Sequence, residues 1–113
     1  MKWEAALKDY LQYLRIERGL ASNTITNYGF DVEKLISYLE QHEITSSPEN
    51  ISEEEIQQFI YAIAKKVNAR SQSRIISGLR GFFNFLVFEG YRNQNPLELT
   101  ESPKIGRKLP DTL

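Results

Sequence analysis

Apolar residues recur at intervals of three and four in four separate stretches of this chain, the period of helices that bury one face. The first stretch runs from Trp3 to Arg18 and sets Trp3, Leu7, Tyr10, Leu11 and Leu14 on one stripe. Gly19 follows, where a residue of positive φ commonly closes a helix. The second begins at Ser22 or Asn23, either of which suits an N-cap, and ends near Gln41. Its apolar face is Ile25, Tyr28, Val32, Leu35, Ile36 and Leu39. After a loop from Glu43 to Asn50, Ser52 and Glu55 have the spacing of a capping box. The helix they open carries Ile56, Phe59, Ile60, Ile63 and Val67 as its core stripe. Glu53, Glu54 and Glu55 in its first turn suit the positive end of the helix dipole, a structural role. The fourth helix is expected from about Ser71 to Glu89, stopping at Gly90. No stretch reads convincingly as a strand. The expected fold is therefore all-α, a compact bundle of four main helices.

A chain of 113 residues with 41% apolar content fits one domain with a real core. Residues 1–100 are assigned to it. Periodicity fades after Asn95-Pro96, with at most a short helical turn around Leu97–Thr100, and 101–113 read as a basic, proline-containing linker. The absence of cysteine excludes disulfides, thiolate metal sites and a cysteine nucleophile, and a single histidine removes most zinc and triad chemistry. No metal or other cofactor is expected. No apolar run approaches the roughly 18 residues of a membrane span, and the amino terminus passes at once into a charged helix rather than a secretory signal. A soluble cytoplasmic domain is the default.

The net charge of -1 conceals a division. Residues 1–64 hold five bases and eleven acids, a net of -6, whereas residues 65–108 hold nine bases and three acids, a net of +6. Such asymmetry points to a polyanionic partner more directly than the total does. Two ordinary solvated surfaces of unequal sign would give the same count.

The fourth helix is the most informative. On a wheel of about 100° per residue, Ile75, Ile76, Leu79, Phe82, Phe83, Leu86 and Val87 share one side. The opposite side collects Arg70, Ser73, Arg74, Ser77, Gly81 and Asn84, with Arg80 on its flank, and no acid occurs from Lys65 to Phe88. Arginines and hydroxyls on a helix face suit a major groove, where they reach phosphates and base edges. Gly78 and Gly81 each cost roughly 1 kcal/mol relative to alanine inside a helix, so each needs a reason. Ligand approach is favoured for Gly81, while Gly78 fits helix packing equally well. The first turns of the second helix crowd Ser22, Asn23, Thr24, Thr26 and Asn27 together, more polar groups than capping can use, beside free N–H groups that attract anions. Phe30 and Phe88 lie off the core faces and read either as protein contacts or as rests for the tail.

The order of these features resembles the amino-terminal core-binding domain of the tyrosine recombinases, the phage-integrase and Xer-type enzymes. The segment Leu20-Ala21-Ser22-Asn23-Thr24-Ile25-Thr26-Asn27-Tyr28-Gly29-Phe30-Asp31-Val32 is similar to their S-x-N-T-x-x-x-Y-x-x-D signature. Arg74-Ile75-Ile76-Ser77-Gly78-Leu79-Arg80-Gly81-Phe82-Phe83-Asn84-Phe85-Leu86 is similar to their R-x-x-S-x-x-R-x-F-F helix. Asn95-Pro96, Ser102-Pro103-Lys104 and Leu109-Pro110 resemble the exit toward their catalytic domain. The resemblance spans residues 3–113 and implies a SAM-like helical bundle that clamps a recombination half-site, with the main contacts from its second and fourth helices. Carried onto this chain, it implicates Asn23, Thr24, Asn27 and Tyr28, then Arg70, Ser71, Ser73, Arg74, Ser77 and Arg80. It also implies that Lys104, Arg107 and Lys108 track the duplex backbone. Tyr28 lies on the core stripe as well, so a buried ring is its other reading. Asp31 is expected to be a structural hydrogen-bond acceptor, since a carboxylate facing phosphates would be repelled.

The family cleaves DNA with a tyrosine assisted by arginines, a lysine and histidines of a carboxy-terminal domain. Here His42 stands alone, no H-x-x-R pair occurs, and all six tyrosines read as core or surface helix residues. The chain is thus expected to bind and position without cutting, as a piece of a simple two-domain, Xer-like parent without the extra arm-binding domain of many phage integrases. The expected partner is a double-stranded DNA recombination site, with the parent tetrameric on DNA and the isolated domain monomeric. The alternative is a helical protein–protein interaction domain in which Phe30 and Phe88 bind a partner. A helix-turn-helix regulator is disfavoured, because the connections are longer than that motif's turn of about three or four residues.

Overall fold

In the computed structural model, which describes residues 1–98, four helices follow one another: α1 (Trp3–Ile16), α2 (Ser22–Gln41), α3 (Glu53–Ala64) and α4 (Ala69–Phe88). No strand occurs among the described residues. The domain boundary at residue 100 and the segment 101–113, with Lys104, Arg107 and Lys108, lie outside them.

Local chemistry explains several of the helix ends. α1 stops at Ile16, before the expected Arg18, and the chain turns through Gly19 at φ +61°. The N-cap of α2 is Ala21 rather than Ser22 or Asn23; no side chain caps this end. Ser52 opens α3 with the expected capping box: its hydroxyl accepts from the Glu55 N–H at 3.1 Å, and its own N–H donates to Glu55 Oε1 at 3.0 Å. The Ser46 hydroxyl also donates to Glu55 Oε2 at 2.7 Å. Burial raises the Glu55 pKa, but these hydrogen bonds outweigh it and hold the carboxyl below its usual range. α4 begins two residues earlier than the sequence pattern suggests, because Asn68 caps it by accepting from the Ser71 N–H at 2.8 Å. Its far end closes in a Schellman arrangement. The Gly90 N–H reaches Val87 O and the Tyr91 N–H reaches Leu86 O, with Gly90 at φ +82°.

The core is aromatic at its centre. The Trp3 ring stacks on Phe82 at 6.2 Å and meets Phe83 edge-on at 6.4 Å, while its indole N–H donates to Ser46 O at 2.9 Å. Tyr10 packs on Phe82 at 5.4 Å, and Phe59 of α3 packs on Tyr38 of α2 at 5.3 Å. The wheel left Phe85 off the core face, yet it is buried between Tyr10 and Tyr13, while Val87 is only half-buried. α1 packs along α4, so the apolar arc of α4 is wider than one neighbouring helix would require. Leu97 folds back to full burial. The Asn95 amide donates to Arg80 O at 3.0 Å and Asn84 Oδ1 at 2.8 Å, and its own carbonyl accepts from the Leu97 N–H at 2.8 Å. Asn95-Pro96 therefore pins the departing chain onto α4.

Candidate nucleic-acid interface

The seam between α2 and α4 unites the two motif-bearing helices. Asp31 of α2 is fully buried, and Arg74 of α4 reaches it: Nη1 lies 3.1 Å from Oδ1 and donates to Oδ2 at 3.3 Å. Only the Oδ2 contact has hydrogen-bond geometry, so Oδ1 has an ionic neighbour but no donor among the described residues. Burial raises the Asp31 pKa to about 6, against the opposing pull of Arg74 and Lys34. Gly78 makes this approach possible, since a methyl group there would collide with the Asp31 carboxylate. Its role is helix packing. Asp31 is the structural acceptor that charge repulsion predicted.

Arg74 leaves 53% of its side chain exposed, enough to serve a second partner. Arg70 is exposed in the first turn of α4, and Ser71 and Ser73 are half-buried. Arg80 is half-buried and turned toward the chain exit, where its Nε donates to Leu97 O at 3.2 Å. On α2, Asn23, Thr24 and Asn27 are exposed, while the Thr26 hydroxyl donates to Ser22 O at 3.0 Å. The lack of side-chain capping leaves this polar group at the surface.

Ser77, Gly81 and Asn84 do not form a flat outward face. With Tyr28 of α2 they line a cleft of about 280 Å³, closed on the other side by Tyr10, Tyr13 and Arg18. The nearest atom to a side chain placed at Gly81 would be the Tyr10 hydroxyl, 3.0 Å from its Cβ. An internal neighbour thus adds a packing reason for a small residue there, beside the approach of a ligand. Tyr28 is half-buried with its ring 6.5 Å from that of Tyr10, which accounts for its place on the core stripe.

Several cations have contacts that a charge count could not show. Arg92 donates to Gln94 O at 2.6 Å and Pro48 O at 3.1 Å and lies 5.3 Å from the centre of the Phe83 ring, so it ties the exit to the α2–α3 connection. Burial lowers its pKa. Lys34, counted among the acidic half, lines the same groove as Lys65 and Lys66. Arg18 follows α1 in an acidic stretch, yet the packing of the helices brings it to the same cleft as Ser77.

The family model of the phage integrase N-terminal SAM-like domain matches residues 7–90. The chain belongs to this family. As an integrase SAM-like domain it is 37% identical over 111 residues to a tyrosine recombinase XerD of Oceanobacillus iheyensis, and 38% identical over 111 residues to one of Staphylococcus aureus strain Mu50. Each alignment covers 97% of this chain and 37% of the relative, so the chain spans little more than a third of those proteins. No solved structure matches it significantly. The SAM-like match encloses every candidate residue from Asn23 to Arg80, whereas Lys104, Arg107 and Lys108 fall beyond it. Among the described residues, no helix is long and apolar enough to cross a membrane.

Proposed function

We propose that this domain binds duplex DNA through α2 and α4 and seats a tyrosine recombinase on its half-site, while the chemistry of strand exchange belongs to the part of the relatives that this chain does not match. One observation carries the reading. The two helices bearing the recombinase-like motifs pack side by side, joined by Arg74 and Asp31, with Arg74 still half in solvent. Asn23, Thr24 and Asn27 offer hydrogen bonds at the start of α2, and Arg70, Ser73, Arg74 and Ser77 offer them along α4. Lys104, Arg107 and Lys108 follow the backbone, and the domain alone is a monomer that works within a tetramer on DNA in the cytoplasm.

Fluorescence anisotropy with a labelled duplex tests this. Affinity should fall steeply with salt as about four to six phosphates are neutralised, a log–log slope of roughly -4 to -5. Arg70→Ala, Arg74→Ala and Arg80→Ala should each weaken binding by about 1 to 3 kcal/mol. Lack of any duplex binding at low salt would sink the proposal. A second reading, protein docking, is favoured by Phe88 and Phe30, which are 76% and 51% exposed. It predicts loss of a protein partner on Phe88→Ala, with the arginine variants neutral.

A further inference from the structure

The cleft between α1, α2 and α4 has a polar floor that bonds to no other described residue. Tyr10 is only 2% exposed, yet its hydroxyl makes no hydrogen bond to any described residue. That hydroxyl lies beneath Gly81, where the absence of a side chain leaves the floor open. The hydroxyl opens onto the cleft, where it is free to donate to a bound acceptor. Burial, foremost, and the nearby Tyr28 push the Tyr10 pKa upward, so the group stays a neutral O–H donor at physiological pH.

The surrounding groups are donors too. Arg18 lines the cleft and takes part in no ion pair among the described residues. Its charge reaches Tyr10 and opposes the upward shift. Ser77, Tyr28 and Asn84 complete the wall. The acid whose charge acts on Tyr10 is Asp31, and that carboxylate is already held by Arg74. A neutral O–H, a guanidinium and two further hydroxyl-bearing residues around one concavity fit an oxyanion. The opening adjoins Ser77, on the face proposed to meet DNA.

We propose that the Tyr10–Arg18–Ser77 cleft seats a backbone phosphate of the bound duplex, which makes Arg18 and Tyr10 additional binding residues of the domain. The inference rests on the DNA-binding reading, and it extends the contact surface from α2 and α4 to the end of α1. Arg18 supplies the charge and the Tyr10 hydroxyl fixes the phosphate oxygen. Gly81 keeps the approach clear.

The test is duplex affinity of the 113-residue chain between about 50 and 200 mM salt, where counterion release is read as a slope. Arg18→Ala should lower affinity about tenfold and reduce the slope by about one, and Arg18→Lys should restore the slope. Tyr10→Phe should lower affinity about threefold to tenfold with the slope unchanged, because it removes a donor and no charge. Thermal melts of every variant confirm folding. If Arg74→Ala weakens binding while Arg18→Ala and Tyr10→Phe match the wild type in affinity and slope, the phosphate seat is wrong and the DNA reading survives. If the wild type binds no duplex at about 50 mM salt, the reading beneath it is wrong. A tenfold loss for Arg18→Ala with unaltered slope would also overturn the proposal, since no phosphate contact would have been removed.

Discussion

Arg74 and Asp31 form an unequal pair: the carboxylate is sealed between α2 and α4, while 53% of the arginine side chain remains in solvent, with 3.1 Å between Nη1 and Oδ1. The geometry orients the guanidinium without enclosing it. A buried carboxylate that receives only one donor is costly to keep ionised, and a half-exposed arginine compensates it incompletely.

The stability of the domain should therefore carry an Asp31 signature in pH. The folded-state pKa is about 6 against an ordinary 3.8, so the folded protein holds this proton more tightly than the unfolded chain does. Between those values stability falls as pH rises, and above about 6 the loss is complete. A shift of this size corresponds to roughly 2 to 3 kcal/mol. Asp31→Asn should remove that component, so that the difference in unfolding free energy between variant and wild type changes across pH 4–6 and is flat above it. Urea titrations across this range measure it, and parallel profiles would reject the assignment.

Gly78→Ala sets two effects of opposite sign against each other. Helix propensity alone favours alanine by about 1 kcal/mol. The added methyl would run into the Asp31 carboxylate, where both neighbours are helix-bound, and overpacking of this kind costs about 1 to 3 kcal/mol. Net destabilisation is expected, reduced when Asp31→Ala is combined with it. Chemical denaturation of the two single variants and the double variant gives the coupling.

Glu43→Gly should stabilise the domain. Glu43 stands at φ +55° just past α2, and the Ile44 N–H reaches Leu39 O at 2.9 Å, a Schellman-like closure with a residue that carries a Cβ. Left-handed backbone costs a non-glycine residue about 1 to 2 kcal/mol, partly offset by the greater freedom of glycine in the unfolded chain. A gain of about 0.5 to 1 kcal/mol is expected, visible as a higher melting temperature.

Asn95→Ala should loosen the chain exit. It removes two bonds donated to α4 and the acceptor of the Leu97 N–H, at a cost of about 1 to 3 kcal/mol. Hydrogen exchange should show faster exchange at Leu97, with the α1 amides unaffected. Unchanged protection at Leu97 would mean that its burial alone holds the segment.

The four helices were legible because each repeats its apolar face locally, and the Ser52–Glu55 box because both partners lie within one turn. The second and fourth helices could likewise be matched to a family by motif. Local pattern was less informative about ends: Asn68 caps α4 from outside the apolar stripe, and α2 has no side-chain cap despite two good candidates. Gly78 and Gly81 were marked by their cost, but the neighbours that explain them, Asp31 and Tyr10, lie on other helices.

Sequence by itself determined an all-helical chain, a recombinase-like order of motifs and a separation of charge, since all three depend on neighbours within a few residues. Tertiary structure alone decided what each charge does. It buried Asp31 against Arg74, turned Arg80 and Arg92 toward the exit, and brought Arg18, Tyr10 and Ser77 to one cleft. The reason is physical: the strength and role of a charge depend on burial and on partners tens of residues away, and only packing supplies those.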